Sequence, residues 1–254
     1  MSESDHGGRE PAVSVINAEG TGDALLLCEH ASAYIPERYG DLGLRPEWRQ
    51  SHAAWDPGAL ALARMLSTGL ESPLVAGRVS RLVYDINRPP EAEGAMPVRS
   101  EIVEIPGNAN LTPAQKAERV ETVYRPFCKA VDRLLSARPR AVVTVHSFTP
   151  VYHGATRETE IGILHDSDSR LADIMLAQTP EEDRRVDRNK PYGPEDGVTH
   201  SLKLHGISRG LPNVMIEVRN DLLTTLEDVQ AIASELLAML RPALAAVPAE
   251  VTDA

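Results

Sequence analysis

The chain has 254 residues, 42% hydrophobic and 25% charged, which is the composition of an ordinary globular domain and excludes a disordered, collagen-like or coiled-coil chain. Its 26 Lys and Arg against 37 Asp and Glu leave a formal net charge of −11, which argues against a nucleic-acid groove or an anionic membrane as the main partner. Cys28 and Cys128 are too few for a disulfide scaffold and point to a reduced, cytoplasmic compartment.

Residues 1–13 are polar and Gly-containing and read as a disordered tail; without a basic stretch followed by an apolar one, they are not a signal peptide. Ala24–Cys28 is a short apolar run stopped by Glu29-His30, which predicts a buried strand. Asp56-Pro57-Gly58 reads as a helix start with Asp56 as N-cap, followed by Leu60, Met65 and Leu66. Leu82–Ile86 predicts a second strand, stopped by Asn87-Arg88-Pro89-Pro90. Thr112-Pro113-Ala114-Gln115 is a capping box. It opens a helix with Val120, Val123, Tyr124, Phe127, Val131, Leu134 and Leu135 on one face, which Pro126 should kink or split.

Ala141–Val145, Glu160–Leu164 and Asn213–Val218 predict three further strands, ended by His146-Ser147, His165-Asp166 and Arg219-Asn220-Asp221. Thr224, Leu226 and Glu227 start a last helix, with Leu226, Val229, Ile232, Leu236 and Leu240 on one face. Residues 247–254 read as a second disordered tail, which leaves 14–246 as a single α/β hydrolytic domain. Strands alternating with helices predict an α/β fold, a mostly parallel mixed sheet flanked by helices on both faces. The longest purely apolar run is far short of the ~20 residues of a membrane span.

Polar residues follow the ends of successive predicted strands: Glu29-His30, Asn87-Arg88, His146-Ser147 and Glu217 with Arg219. Ligands of open α/β sheets bind there. His30 and His146 suit zinc, which in catalytic sites takes about three protein ligands and keeps an open position. Each equally suits a histidine hydrogen-bonded at a strand end, and the chain has neither a His-Glu-x-x-His nor a paired CxxC motif. Asp56 serves as an N-cap, as a carboxylate ligand, or as both. His52, four residues earlier, would share its face on a helix, or is a surface or capping histidine. Arg88 suits bidentate capture of a carboxylate or a salt bridge to Asp85, with Arg81 as a second donor. Glu217 inside an apolar run is expensive unless paired or used. It suits a general base acting on a metal-held water, or an ion pair with Arg219 on the same side of the strand.

The segments CEHASAYIP (28–36), HAAWDPGALALA (52–63), SRLVYDINRPPE (80–91), TVHSFTP (144–150), NKPYG (189–193) and LPNVMIEVRND (211–221) together carry a resemblance. In this order they are similar to the N-formylglutamate amidohydrolase family, over about residues 25–243. The resemblance implies a zinc carboxypeptidase-like fold and one zinc ion on His30 and His146. It assigns Asn87 and Arg88 to the substrate carboxylate, Glu217 to catalysis and Arg81 to polarising the scissile carbonyl. It makes Tyr192 a lid residue and places Ser147 and Arg219 beside the substrate. One position departs from the carboxypeptidase pattern: the glutamate expected three residues after the first histidine is Ala33. Asp56 is taken as the third ligand in its place, with Glu29 and His52 behind it.

The reaction implied is cleavage of the N-formyl amide of N-formylglutamate, or of a similar N-acyl amino acid, to formate and glutamate. The partner is then a small anionic substrate, with no nucleic acid and no membrane, and the enzyme is a cytoplasmic monomer or small homo-oligomer. Net charge does not oppose this, because the Debye length is about 8 Å at ~0.15 M salt and Arg81, Arg88 and Arg219 would leave the pocket locally positive. Three rivals stand beside it. One is a family member acting on another N-acyl amino acid or a small peptide-like amide. A second is a non-catalytic ligand-binding protein of the same fold, which His30, His146 and Glu217 together argue against. The third is a metal-free hydrolase with Ser147 as nucleophile, for which the G-x-S-x-G elbow is missing.

Overall fold

The computed structural model describes residues 11–136, 139–179 and 184–246. The expected tails fall outside these residues apart from Pro11, Ala12 and Val13, where Ala12 is buried and Val13 already opens the first strand. In chain order the strands are β1 (Val13–Ile16), β2 (Ala24–Cys28), β3 (Leu74–Gly77), the short pair β4 (Arg99–Ser100) and β5 (Val103–Glu104), β6 (Ala141–Phe148), the short pair β7 (Val151–Tyr152) and β8 (Ala155–Thr156), β9 (Ile161–Leu164), β10 (Val186–Arg188) and β11 (Asn213–Arg219). The α-helices are α1 (Ala59–Gly69), α2 (Pro113–Arg119), α3 (Arg125–Leu135), α4 (Arg170–Ala177) and α5 (Leu226–Ala246).

Seven strands form one sheet in the order β1-β3-β2-β6-β11-β9-β10. Neighbours run parallel except β1 against β3 and β11 against β9, so the expected mostly parallel mixed sheet is present. Strand β2 is buried along its whole length because both faces are covered. Its side chains alternate: Ala24, Leu26 and Cys28 join the core under α1, α4 and α5, while Leu25 and Leu27 join the opposite core with Phe127 and Val131 of α3. Helix α5 is long and apolar enough by composition alone to cross a membrane. Its Val229, Ile232, Leu236 and Leu240 instead pack in the core with Leu62 and Leu66 of α1 and Leu171 of α4.

Three local expectations are corrected, and the split at Pro126 is borne out. Leu82–Ile86 is buried but is a turn and not a strand. The carbonyls a neighbouring strand would satisfy are taken by side chains: Asn108 Nδ2 donates to Leu82 O (2.8 Å) and Arg119 Nη1 to Val83 O (3.0 Å). Asp56 does not cap α1 with its side chain; Gly58 is the N-cap at φ +82°, and a Cβ there would lie 2.4 Å from Leu223. The Thr112 capping box forms, but Val120–Tyr124 is a π-helix, so Pro126 splits the predicted helix into α2 and α3. A widened turn accommodates the missing N–H and the ring of proline. Helix α5 is capped by Thr225, whose N donates to Asp228 Oδ2 and whose Oγ1 accepts from Asp228 N. Leu226 sits outside its apolar face, 66% exposed.

Because Asn108 holds the buried turn from two sides, donating also to Pro97 O (2.7 Å), Asn108→Ala should strand two carbonyls. The expected loss is about 1–3 kcal/mol of unfolding free energy, read as a lower midpoint in urea denaturation. An unchanged midpoint would show that the turn does not depend on this side chain.

Candidate active site

Three elements bring the predicted ligands together. His30 is carried two residues past the end of β2, and its carbonyl accepts from Asp56 N (2.9 Å), which ties in the turn before α1. His146 lies inside β6, which runs two residues further and puts His146 in register with Glu217 of the parallel β11. The Asp56 carboxylate meets both rings: Oδ2 is 3.3 Å from His30 Nδ1 and 2.9 Å from His146 Nδ1. One ligand atom from each of His30, Asp56 and His146 lies within 4.8 Å of the other two, and all three residues are buried. Donors around a tetrahedral zinc stand about 3.3 Å apart, and two imidazole nitrogens with one carboxylate oxygen match its preferences. The three residues could therefore hold a metal such as zinc, and it is Asp56, not Glu29 or His52, that groups with the two histidines.

The other ring nitrogens face further carboxylates. His30 Nε2 is 2.6 Å from Asp85 Oδ1, and His146 Nε2 is 3.2 Å from Glu29 Oε2. Arg81 joins the cluster through Asp85 Oδ2 (3.0 Å) and Asp56 Oδ1 (3.4 Å). Burial opposes ionisation of Asp56 and Asp85, but the charges of His30, with His146 for Asp56 and Arg81 for Asp85, outweigh it and hold both far below the usual carboxylate range. Burial lowers the His146 ring, yet Glu29 and Asp56 push it well above the ordinary histidine range. Glu217 behaves oppositely. Burial, helped by Asp56, pushes its carboxyl up to about 7 against the pull of His146, His30 and Arg81, and its Oε2 has no hydrogen-bond partner.

The remaining candidates divide. Arg81, Arg88, Asn87, Ser147, Tyr192 and Glu217 all line the cavity. Asn87 is held on both sides, Nδ2 donating to Val198 O (2.5 Å) and Oδ1 accepting from Ser201 N (2.9 Å), with one N–H left over. Arg88 donates from Nη1 to Asp196 O (3.2 Å) and passes 2.9 Å from where a Cβ on Gly197 would sit. Ser147 Oγ donates to Pro57 O (2.7 Å) and contacts neither histidine, so a serine nucleophile has no base. Arg219 is outside the cavity lining, bonded to Asp221 Oδ1 (2.8 Å) and Arg157 O (3.2 Å). Its ion pair with Glu217 does not form, because the strand ends there and the side chain turns to the next loop. His52 sits at the rim, 2.9 Å from Glu101 Oε2.

Two contributors carried no sequence signal. Arg157 stacks on Tyr152 and Tyr192 (4.4 and 4.7 Å to the ring centroids) and donates to the Tyr192 hydroxyl (2.9 Å). It stands in a charged stretch, Arg157-Glu158-Thr159-Glu160, that reads as a solvated loop. Glu101, at φ +53° in the β4–β5 turn, accepts from His153 N (3.0 Å) and so joins both hairpin tips to His52. Burial and Glu217 push the Tyr192 hydroxyl up to about 12, which keeps it protonated.

A mixed sheet with two histidines and a carboxylate converging at its strand ends, and a buried, unpartnered glutamate beside them, defines a hydrolase with a candidate metal centre. The chain belongs to the N-formylglutamate amidohydrolase family, whose model matches residues 22–224, and is thereby a hydrolase acting on linear amide bonds. It is similar to the gene product Atu2144 of Agrobacterium tumefaciens, with 55% identity and a TM-score of 0.91 over 93% of this chain and 96% of that one. It shares its fold with N-formylglutamate amidohydrolase from Ralstonia eutropha JMP134, at 17% identity and a TM-score of 0.72 over 92% and 97% of the two chains. No curated protein matches the chain.

The raised Glu217 carboxyl has a consequence for the metal-free protein. A folded-state value of about 7 lies above the unfolded one, so the contribution of Glu217 to stability is full below about pH 4.3 and is lost as pH rises through 7. Glu217→Gln removes this dependence. It should melt with wild type below pH 4.3 and be more stable by about 3–4 kcal/mol at pH 8. Parallel melting curves across this range would show that Glu217 is not held protonated.

Proposed function

We propose that the protein is a zinc-dependent amidohydrolase that cleaves the N-formyl amide of N-formylglutamate to formate and glutamate. The observation that carries this is the convergence of His30 Nδ1, His146 Nδ1 and Asp56 Oδ2 beside the unpartnered Glu217. Zinc held by these three residues would acidify a water and polarise the amide carbonyl.

The chain's own groups supply the remainder. Glu217, in register with His146 and lining the cavity, takes the proton of the attacking water and delivers it to the leaving nitrogen. Arg81 is gripped by Asp85 and Asp56, so its charge is fixed before substrate arrives, and it stabilises the developing oxyanion. Arg88, half-buried, uses one N–H on Asp196 O and offers its others to a substrate carboxylate. Tyr192 covers the cavity from its loop, held by Arg157. Ser147 lines the floor. Asn87 and Arg219 act from outside the substrate, Asn87 by pinning residues 198–201 and Arg219 by tying the end of β11 to the loop at Arg157.

Residues 14–246 serve as one hydrolytic domain, as a monomer or a small homo-oligomer. The two free cysteines suit a cytoplasmic setting. The substrate reading rests on family membership and on the name of the Ralstonia eutropha relative. N-acetylglutamate and N-formylaspartate are the substrates to set against it.

Among the three, N-formylglutamate should give the highest kcat/KM by at least tenfold; a better rate on either of the others would reassign the acyl or the amino-acid portion. Glu217→Gln should lower kcat by about 10²–10⁴ with zinc content unchanged, and Asp56→Asn should lose zinc. Near-normal turnover of Glu217→Gln at full zinc content would remove Glu217 as the base.

A further inference from the structure

We infer that Glu29 is the positioning residue of His146: it receives the Nε2–H of that ring and so commits Nδ1 to the metal centre, without being a ligand itself. This rests on the zinc reading above.

His146 has two ring nitrogens, and only one can carry the hydrogen when the neutral ring binds a cation. Nδ1 points at Asp56 Oδ2, 2.9 Å away, inside the three-atom donor set. Nε2, at the other end of the ring, is 3.2 Å from Glu29 Oε2. Donor set and Glu29 therefore sit at opposite ends of one imidazole, and a cation on Nδ1 is out of reach of the Glu29 carboxylate. His30 repeats the arrangement, with Nδ1 toward Asp56 and Nε2 2.6 Å from Asp85 Oδ1. Each histidine thus presents the same nitrogen inward and has one carboxylate behind the other. A carboxylate in that place fixes the tautomer and the ring plane and raises the basicity of the ligating nitrogen.

The two supports differ in how they are themselves held. Asp85 is anchored by Arg81 Nη2 (3.0 Å) and by Asn87 N (3.0 Å). Glu29 is 1% exposed, and neither of its oxygens has a hydrogen bond of good geometry, nor has His146 Nε2. A buried carboxylate whose neighbours are the His146 ring and Ser201 is held less firmly than Asp85. A function that places a cation on the far side of the ring accounts for it, because the ring can then give up its hydrogen toward Glu29. The adjacency of Glu29 and His30 fits the same plan: in the turn that follows β2, His30 meets Asp56 while Glu29 reaches the His146 ring.

The test is zinc affinity of the full-length protein, stripped with a chelator and titrated against a chromophoric competitor. Wild type should bind one zinc. Glu29→Ala should bind it about 10–100-fold more weakly, and Glu29→Gln, whose amide oxygen still accepts from Nε2–H, should fall between the two. X-ray absorption at the zinc edge should give loaded Glu29→Gln the same number of nitrogen and oxygen neighbours as wild type. Affinity of Glu29→Ala and Glu29→Gln within twofold of wild type would overturn the proposal, as would loss of an oxygen neighbour in Glu29→Gln, which would make Glu29 a ligand. If Glu29→Ala does not fold, judged by circular dichroism of the stripped protein, Glu29→Gln alone decides. A wild type that binds no zinc overturns the metal reading itself, an outcome distinct from wild-type binding that is indifferent to Glu29.

Discussion

The site depends on one buried carboxylate oxygen, Asp56 Oδ2, which sits between the Nδ1 atoms of two histidines from different strands. It draws the end of β2, the middle of β6 and the turn before α1 to a single point. Removing an ionised group from water is unfavourable unless other charges replace the hydration, and here two imidazoles and Arg81 do so. The requirement runs in both directions. Without the histidines the Asp56 carboxylate would not remain ionised at this depth, and without Asp56 the two rings would have no common target. The parallel pairing of β6 and β11 then fixes Glu217 beside that point, because its register partner is His146.

Charge balance follows from this cluster. Glu29, Asp56, Asp85 and Glu217 are all buried, while Arg81 is the permanent cation gripped among them. Burial, with Asp56 beside it, keeps the Glu217 carboxyl protonated to about pH 7 against the pull of His146, His30 and Arg81. A divalent cation held at the same point would add to that pull, so metal binding and the protonation of Glu217 are coupled through the same electrostatics. The sequence suggested a pocket made positive by Arg81, Arg88 and Arg219. In the structure Arg81 is matched by acids and Arg219 is turned outward to Asp221, which leaves Arg88 as the arginine able to meet a substrate carboxylate.

Much of this was legible in the chain. Apolar runs ending in polar residues located β2, β6, β9 and β11, and the order of the quoted segments placed His30, His146 and Glu217 at one end of the sheet. Local rules failed where a distant side chain decides. Leu82–Ile86 has the burial of a strand, but Asn108 and Arg119, from segments beyond it, satisfy carbonyls that a ladder would otherwise need. Asp56 has the local signature of an N-cap, but its carboxylate is drawn to partners 26 and 90 residues away. Arg157 and the part played by Glu29 have no local pattern, because their meaning lies in which ring they meet and not in their neighbours in sequence.

The irregular turn from Ser80 to Arg88 shows why the site is built this way. A strand would have faced alternate residues to opposite sides and fixed them in a ladder. A turn held by side chains lets Arg81, Asp85 and Arg88 all face one cavity from one short segment. The same turn is braced from within and from the segment after it: Tyr84 Oη donates to Arg88 O (3.2 Å), and Asp85 N donates to Ala95 O (2.8 Å). Stiffness lost with the ladder is recovered through these tertiary bonds. The placement of Arg88 at the cavity therefore depends on polar contacts made by its own turn, whereas His146 is held by the sheet itself and His30 by the turn that leaves β2.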